Sequence, residues 1–194
     1  MQYALAALAG YLLGSIAFAL IVARRHGVDL RATGDGNPGA WNALEQLGAR
    51  RAWPAFVGDG LKGAAAGLIG LALAGTAGAY AGVAGAMVGH AIPLFARLRG
   101  GKSVMTFAGG AFALSPIAAA ITLAVCIVTS LCTRSVKLGA RIAVFGFPLV
   151  QLLVDPPLRV AATGALMGLI GLRFLLTDRT FARATSATDA PRST

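Results

Sequence analysis

The chain begins with an apolar run that carries no charge, from Gln2 to Ala23. About 20 such residues are enough for a helix to cross ~30 Å of hydrocarbon. Similar runs follow, and 57% of all residues are hydrophobic against 12% charged, with a mean hydropathy of +0.74. The pattern predicts an all-α integral membrane protein rather than a soluble domain. Because no basic residue precedes the first run, we interpret it as a retained span and not as a cleaved signal peptide.

Hydropathy predicts about seven transmembrane helices, some of them short. The stretch 104–132 is too long for one comfortable span, and cations flank it on both sides. We therefore predict two short or tilted helices there, broken near Ser115-Pro116, because proline disfavours helix at the preceding residue. The other spans are predicted near residues 2–23, 55–74, 77–95, 138–154 and 157–176.

The basic residues predict how these helices are oriented. Lys and Arg concentrate in cytosolic loops, and the first cations, Arg24 and Arg25, follow the first span. This predicts an amino terminus outside and a carboxyl terminus in the cytosol. Residues 1–176 then form a single polytopic membrane domain, and the polar residues 177–194 are expected to be a disordered cytosolic tail.

The net charge of +10 is spread among the loops, so the positive-inside rule explains it and no nucleic-acid partner is expected. Anionic membrane lipid is the expected partner of these cations. Cys126 and Cys132 lie about 9 Å apart along a helix, too far for a disulfide. No Cys/His spacing indicates a metal site, and no cofactor is expected.

Glycines recur on one face of three predicted helices. Such small-residue seams allow helix backbones to approach closely in lipid. The seams are Gly63/Gly67/Gly70, Gly78/Gly82/Gly85/Gly89 and Gly164/Gly168/Gly171.

Three polar loops are predicted on the cytosolic side, at 24–53, 96–103 and 132–141. The second contains Gly100-Gly101-Lys102 beside two arginines. Glycine lets backbone N–H groups approach an anion closely, and the cations supply the countercharge. The loop therefore predicts a phosphate site, although a plain basic turn explains the same residues.

Further polar residues flank these loops. The segment Gly34 to Gly39 and the following Asn42 supply flexible backbone and amide side chains, which suit hydroxyl or phosphate ligands, unless they form only a turn before a helix. Asp59 and Lys62 are three residues apart on a helix, as an interfacial ion pair or a polar site requires. His90 at a span end is either structural or functional.

Taken together and in order, these segments resemble the bacterial integral-membrane acyl-phosphate:glycerol-3-phosphate acyltransferases. Any one of the motifs is weak, but together they extend over nearly the whole chain. The segments are Gly14-Ser15-Ile16, Gly34 to Asn42, Leu47-Gly48, Asp59 to Gly63, His90 to Phe95, Gly100 to Lys102, Thr133-Arg134 and Val136 to Gly139.

The resemblance implies a reaction and its partners. An acyl chain would move from acyl phosphate to the sn-1 hydroxyl of glycerol 3-phosphate, giving lysophosphatidic acid and phosphate for phospholipid synthesis. Neither a metal nor coenzyme A is implied. The protein would be a multi-pass monomer of the cell inner membrane, with its active site facing the cytosol.

The resemblance also implies the site residues. The catalytic residues would be His90, Lys102 and Asn37. Substrate and phosphate would be bound by Gly36, Gly39, Asn42, Gly100, Gly101, Ser103, Arg134, Lys137 and Lys62.

This chain departs from the family pattern at charged positions. Asp35 replaces the usual Ser and Glu45 the usual Arg, so two negative charges lie where a phosphate is expected. We expect Lys137 to compensate by pairing with Asp35. The alternative function is a divergent paralogue that uses another acceptor or binds lipid or phosphate without catalysis. A small transporter is a third reading, against which no ionisable residue lies near the middle of a predicted span.

Overall fold

The computed structural model describes the backbone of residues 1–188 and the side chains of residues 1–176. Within these residues every regular element is a helix, so the predicted all-α class is confirmed. The elements are α1 (Gln2–Gly14), α2 (Phe18–Arg25), α3 (Ala40–Leu47), α4 (Ala49–Ala91), α5 (Val104–Leu114), α6 (Pro116–Thr133), α7 (Val136–Gln151) and α8 (Pro157–Thr188), with one turn of 3-10 helix at Leu94–Ala96.

Four helical stretches are long and apolar enough to cross a membrane. They are Gln2–Arg25, Ala49–Ala96, Pro116–Thr133 and Pro157–Leu176, and Val104–Leu114 is a shorter apolar helix. The predicted count of seven crossings and the predicted side of each terminus stay predictions.

The longest helix, α4, folds back on itself. Its backbone leaves the helical region at Ala74 (φ −151°, ψ 29°) and Gly75 (φ 63°, ψ −156°). Glycine adopts such a positive φ without a steric penalty. The break divides α4 into a first arm (residues 49–73) and a second arm (76–91), which confirms the boundary predicted between the spans 55–74 and 77–95.

Two further breaks interrupt the apolar runs. Ser115 separates α5 from α6, which confirms the predicted break before Pro116. The first run was expected to be one span, but it divides into α1 and α2 around Ser15 to Ala17. This division frees the Ile16 carbonyl oxygen, which accepts a hydrogen bond from the Lys62 Nζ atom at 2.8 Å.

Glycine seams hold the inner helices together. A Cβ atom at Gly10 would overlap the Gly82 carbonyl oxygen between α1 and the second arm of α4, and one at Gly63 would overlap the Thr106 carbonyl oxygen between the first arm and α5. The first two predicted seams are confirmed. The third is wrong for the described residues, because nothing lies within 4 Å of a Cβ atom built at Gly164, Gly168 or Gly171.

The two ends of the helix bundle differ. At one end the turns are short, and the Arg159 guanidinium joins them by donating to Thr76 Oγ1 at 3.2 Å and to Asp155 Oδ1 at 2.8 Å. At the other end lie the longer connections 26–39 and 92–103, which carry several of the predicted site residues, among them Asn37 and Lys102.

Helix α8 continues to Thr188, beyond the boundary predicted at residue 176. It therefore runs through the first part of the segment expected to be a disordered tail. Residues 189–194 lie outside the described residues, and there the disordered tail stays a prediction.

Candidate active site

The loop at 97–103 connects the end of the second arm of α4 to the start of α5. The Gly101 amide donates to the His90 carbonyl oxygen at 3.1 Å. A Cβ atom at Gly100 would overlap that same oxygen, and one at Gly101 would overlap His90 Nε2. Only glycine fits at both positions. The Gly101 N–H therefore holds the loop against His90. The sequence had suggested that it would be directed at an anion.

Beneath this loop lies a buried cluster of Asp59, Lys62 and His90. Lys62 Nζ lies 2.7 Å from Asp59 Oδ1, 2.8 Å from His90 Nδ1 and 2.8 Å from the Ile16 carbonyl oxygen. Asp59 is 1% exposed and Lys62 4% exposed. A buried ammonium needs such partners, because burial without them costs several kcal/mol, ~3–5 when one partner is removed.

The cluster assigns the hydrogens of its members. An ammonium has three hydrogens to donate and cannot accept, and Lys62 has three partners for them. His90 Nδ1 therefore accepts, and a neutral His90 carries its hydrogen on Nε2, the atom that faces Gly101. Lys62 was predicted to bind substrate, but the three polar atoms within 2.8 Å of its Nζ atom all belong to the protein itself.

Lys102 extends from the loop toward two other parts of the chain. Its Nζ atom lies 3.6 Å from Asp35 Oδ2 and 4.4 Å from the centre of the Phe174 ring. The Asp35 side chain is 46% exposed, and its other oxygen accepts a hydrogen bond from the backbone N–H of Asn37 at 3.0 Å. Lys102 thus brings the first and second polar loops together with α8.

The first polar loop is held by an asparagine inside it. Asn42 Nδ2 lies 2.9 Å from the carbonyl oxygens of Leu30 and Thr33 and 3.1 Å from that of Asn37. Asn42, which is 1% exposed, therefore shapes the loop. The side-chain oxygen of Asn37 is buried and has no hydrogen-bond partner among the described residues, so it can accept from a ligand.

Two glycines of the same loop have conformational or packing roles. Gly36 has a φ of 67°, where L side chains are strained. Gly39 caps the start of α3, and a Cβ atom there would come within 2.9 Å of Asn37 Nδ2. Both were predicted to bind substrate, and both set the backbone around Asn37.

The third loop meets the first through a different pair from the one expected. Lys137 Nζ lies 3.4 Å from Glu45 Oε1 and 5.6 Å from the centre of the Trp41 ring, and Trp41 Nε1 donates to the same carboxylate at 2.9 Å. The predicted pairing of Lys137 with Asp35 is wrong, because Lys102 takes that place. Arg134 is exposed at the end of α6, with a φ of 54°.

Ser103 ends the loop in a buried position. Its hydroxyl donates to the Met87 carbonyl oxygen at 2.7 Å, and the residue is 1% exposed. It fixes the start of α5 to the second arm of α4. In the described part of the chain, no three His, Cys, Asp or Glu side chains come together as metal ligands would.

The family model described as glycerol-3-phosphate acyltransferase matches residues 4–180. This chain belongs to the glycerol-3-phosphate acyltransferase family. The family predicted from the sequence motifs is thereby confirmed, and with it the prediction that the chain is an acyltransferase enzyme.

Individual relatives agree with this assignment. The glycerol-3-phosphate acyltransferase of Rubrobacter xylanophilus is 39% identical over 159 residues, covering 81% of this chain and 80% of that protein. That of Exiguobacterium sibiricum is 43% identical over 109 residues, covering 56% of this chain and 53% of that protein.

Solved structures of a relative share the fold. The crystal structure of PlsY (YgiH), an integral membrane glycerol 3-phosphate acyltransferase, in its glycerol 3-phosphate form matches with a TM-score of 0.80 and 28% identity, covering 100% of this chain and 96% of that one. Its lysophosphatidic acid form matches with a TM-score of 0.77 and 28% identity, covering 96% and 93%. The membrane class predicted for this family member agrees with that neighbour.

Sequence reasoning about this acyltransferase missed two residues of α8. Arg173 donates from one guanidinium nitrogen to the Gly100 carbonyl oxygen at 3.0 Å and from Nε to that of Gly101 at 3.3 Å. The next residue, Phe174, covers Lys102. The available signal was a cation near the end of the last predicted span, since charged residues in spans mark polar sites.

Proposed function

We propose that this protein transfers an acyl chain from acyl phosphate to the sn-1 hydroxyl of glycerol 3-phosphate, releasing lysophosphatidic acid and inorganic phosphate. The observation that carries the proposal is the meeting of three segments at Lys102: the loop at 97–103, the loop that contains Asp35 and Asn37, and the end of α8. The related PlsY crystal structures are described as a glycerol 3-phosphate form and a lysophosphatidic acid form. These descriptions support the same acyl acceptor and product here.

The chemistry suits a site without a strong nucleophile. The hydroxyl oxygen of the acceptor attacks the acyl carbonyl carbon, and the bond from that carbon to the phosphate oxygen breaks. Phosphate leaves with the electron pair, and the hydroxyl proton passes to the released phosphate or to water. Because an acyl phosphate is already activated, the protein needs mainly to position both substrates and to stabilise charge.

Lys102 is the proposed phosphate ligand. Its ammonium is 15% exposed and separated by 3.6 Å from Asp35, a pair loose enough for an incoming phosphate to displace. A partly exposed ion pair is worth about 0–1 kcal/mol, whereas phosphate offers Lys102 several charged oxygens. The side-chain oxygen of Asn37 is proposed to accept a hydrogen bond from a substrate hydroxyl. Arg134 and Lys137 are proposed to add positive charge at the rim of the site.

The remaining residues of the site position this group. The His90 carbonyl oxygen holds the loop at 97–103 from below, Lys62 and Asp59 hold the His90 ring, and Arg173 holds the carbonyl oxygens of the loop from α8. Gly36, Gly39 and Asn42 shape the loop around Asn37, and Gly100, Gly101 and Ser103 place Lys102. We assign His90 a positioning role because its Nδ1 atom is committed to Lys62.

The proposed location is the cell inner membrane, with seven crossings, the amino terminus outside and the site facing the cytosol. The positive-inside rule supports it, since the cations Arg24, Arg99 and Arg134 lie on the connections at the end of the bundle that carries the site. The proposed active unit is a single chain, because all segments that meet at Lys102 belong to one chain.

One observation favours a second candidate function, a divergent member with another acceptor or without turnover. Asp35 places a carboxylate against Lys102, where a phosphate would bind. Replacing Asp35 by Ser and Glu45 by Arg tests this alternative. If the carboxylates impair the site, the double variant gains activity on glycerol 3-phosphate. If they are accommodated, its activity stays within about twofold of the unmutated protein, as for other exposed pairs.

The primary test is acyl transfer by the purified protein in detergent, with acyl phosphate and labelled glycerol 3-phosphate. We expect lysophosphatidic acid from the unmutated protein and a loss of about 100-fold or more in Lys102→Ala, the size of effect seen when a key charge-stabilising donor is removed. Lys102→Arg should recover part of the activity, and Arg50→Ala, at an exposed position on α4, should keep all of it. Equal turnover by Lys102→Ala would exclude this site.

A further inference from the structure

A cationic cavity lies beside residues 92–97, at the end of the helix bundle that also carries the acyl-transfer site. Its volume is about 610 Å³, within the range of small-ligand pockets. Three arginines line it, Arg24, Arg31 and Arg97, with Asp29 as the one acidic lining residue. The lining therefore carries a net positive charge, and none of it belongs to the group around Lys102 and His90.

Arg31 is built into the wall of this cavity. One of its guanidinium nitrogens donates to the carbonyl oxygens of Ala96 at 2.5 Å and Arg99 at 2.8 Å. Its Nε atom is buried without a hydrogen-bond partner among the described residues. An N–H of a buried cation that lacks a partner is costly, so the protein leaves part of the hydrogen-bonding capacity of this guanidinium unused.

The charges around Arg31 repel one another. Burial lowers the pKa of Arg31, and the neighbouring cations Arg24, Arg99 and Arg97 lower it further, while Asp29 raises it. A bound anion would relieve this repulsion, as it does where arginines converge on phosphate.

The backbone of the adjoining loop is held in an unusual conformation. Arg97 and Leu98 both have a positive φ, of 56° and 58°, although neither is glycine. Non-glycine residues with such angles are strained and occur where the surrounding structure requires them. Here the hydrogen bonds from Arg31 to the loop maintain the conformation that lines the cavity with Arg97.

The same loop exposes apolar side chains beside these cations. Leu94, Phe95 and Leu98 are 52%, 66% and 56% exposed. Large apolar residues next to arginines, at the end of membrane-spanning helices, match the boundary between headgroups and acyl chains.

We propose that Arg24, Arg31 and Arg97 form a binding site for a phosphate-bearing anion at the membrane surface, distinct from the acyl-transfer site. The chemistry fits the headgroup of an anionic phospholipid, whose acyl chains would lie along Leu94, Phe95 and Leu98. It also fits free phosphate. The proposal does not depend on the acyl-transfer function, because binding requires no acyl donor.

The test measures binding to the full chain in an uncharged detergent, by native mass spectrometry, with dioctanoyl phosphatidylglycerol, dioctanoyl phosphatidylcholine and, separately, inorganic phosphate. We compare Arg24→Gln/Arg97→Gln with Arg50→Gln/Arg51→Gln, a control that removes the same charge from two exposed positions on α4. Arg31 is left in place because it also holds the loop, and thermal unfolding checks that both variants are folded.

We expect phosphatidylglycerol to bind in preference to phosphatidylcholine, and the Arg24/Arg97 variant to lose about tenfold or more in affinity while the control keeps it. If inorganic phosphate alone binds with the same dependence on Arg24 and Arg97, the site stands and its ligand is the free anion. Equal losses in both double variants would overturn the proposal, and so would equal binding of phosphatidylglycerol and phosphatidylcholine together with no binding of inorganic phosphate.

Discussion

The inner and outer helices of this protein are held in place by different contacts. In the apolar windows of Gln2–Arg25 and Ala49–Ala96, 39% of the residues are buried, against 17% in those of Pro116–Thr133 and Pro157–Leu176. The inner helices α1, α4 and α5 touch backbone to backbone at glycines. The outer helices are α6, α7 and α8, and α7 is joined to the inner ones by side chains, among them Phe147 against Phe107 and Gln151 with Tyr80.

The inner and outer helices of this membrane enzyme are therefore stabilised by two different kinds of contact. Burial of apolar surface contributes little between helices in lipid, so close van der Waals packing and hydrogen bonds must hold them. The inner helices are held by close van der Waals packing and present the site at one end of the bundle. The outer helices are held by hydrogen bonds, and α8 reaches the site through Arg173.

The largest expected effect comes from filling an inner seam. Gly63→Leu should push α5 away from the first arm of α4, because even a Cβ atom there overlaps the Thr106 carbonyl oxygen. Overpacking of this kind costs about 3 kcal/mol, and we expect little folded protein by gel filtration and a lower unfolding midpoint. The matched outer variant, Gly168→Leu, meets nothing among the described residues and should stay within about 0.5 kcal/mol of the parent.

These two variants test directly whether the inner and outer helices differ in packing. A midpoint for Gly168→Leu as low as that for Gly63→Leu would mean that another protein surface covers this face of α8. The inner and outer helices would then not differ in the way that their packing indicates.

The next effect concerns the hydrogen bonds of the outer helices. Tyr80→Phe removes the hydroxyl that accepts from Gln151 Nε2 at 3.1 Å and donates to the Arg159 carbonyl oxygen at 2.9 Å. Gln151 is fully buried, so its unpaired amide should cost about 1–3 kcal/mol. Tyr11→Phe, which loses a bond to the Ile92 carbonyl oxygen in an exposed position, is the control and should change the unfolding midpoint less.

A smaller effect separates the two ends of α8. Arg173→Ala removes both guanidinium bonds to the loop at 97–103, and we expect kcat to fall about tenfold, equivalent to ~1.4 kcal/mol, with a smaller change in the KM for glycerol 3-phosphate. Arg159→Ala, at the opposite end, should keep kcat while lowering the unfolding midpoint. Equal turnover by the two variants would mean that α8 has no role in positioning the loop.

The smallest effect depends on pH. Burial raises the pKa of Asp155, but polar contacts with Ser115, Arg159 and Gln151 outweigh it, so the pKa lies below that of a free carboxyl group. The stabilisation is therefore present above about pH 4, the ordinary value for Asp, and is lost as pH falls through the lowered pKa. The difference in unfolding midpoint between the parent and Asp155→Asn should shrink over that acidic range. A constant difference would contradict the assignment.

Local signals in the sequence predicted most of the helices. The break at Ser115-Pro116 and the turn at Gly75 follow from proline and glycine within apolar runs, and the ordered motifs predicted the family. The division of the first run was missed, because no proline, charge or turn residue other than Gly14-Ser15 marks it. Lys62 stabilises that division by donating to the Ile16 carbonyl oxygen. It lies far away in the sequence, so this contact exists only in the folded chain.

Pairing across the site could not be predicted in the same way. The sequence suggested Lys137 as the partner of Asp35, whereas the helices bring Lys102 there and Lys137 to Glu45. Arg173 was missed because its partners are backbone carbonyl oxygens, which every residue has and which no motif records.

The hydrogen bonds of Lys62 also affect its reactivity. An ammonium has no lone pair and so is not a nucleophile, and the contacts of Lys62 with Asp59, His90 and the Ile16 carbonyl oxygen favour this form. A chain that handles activated acyl groups must avoid acylating its own amines. The interior lysine closest to the loop at 97–103 is thus kept inert, and the transferred chain cannot be lost to it as an amide.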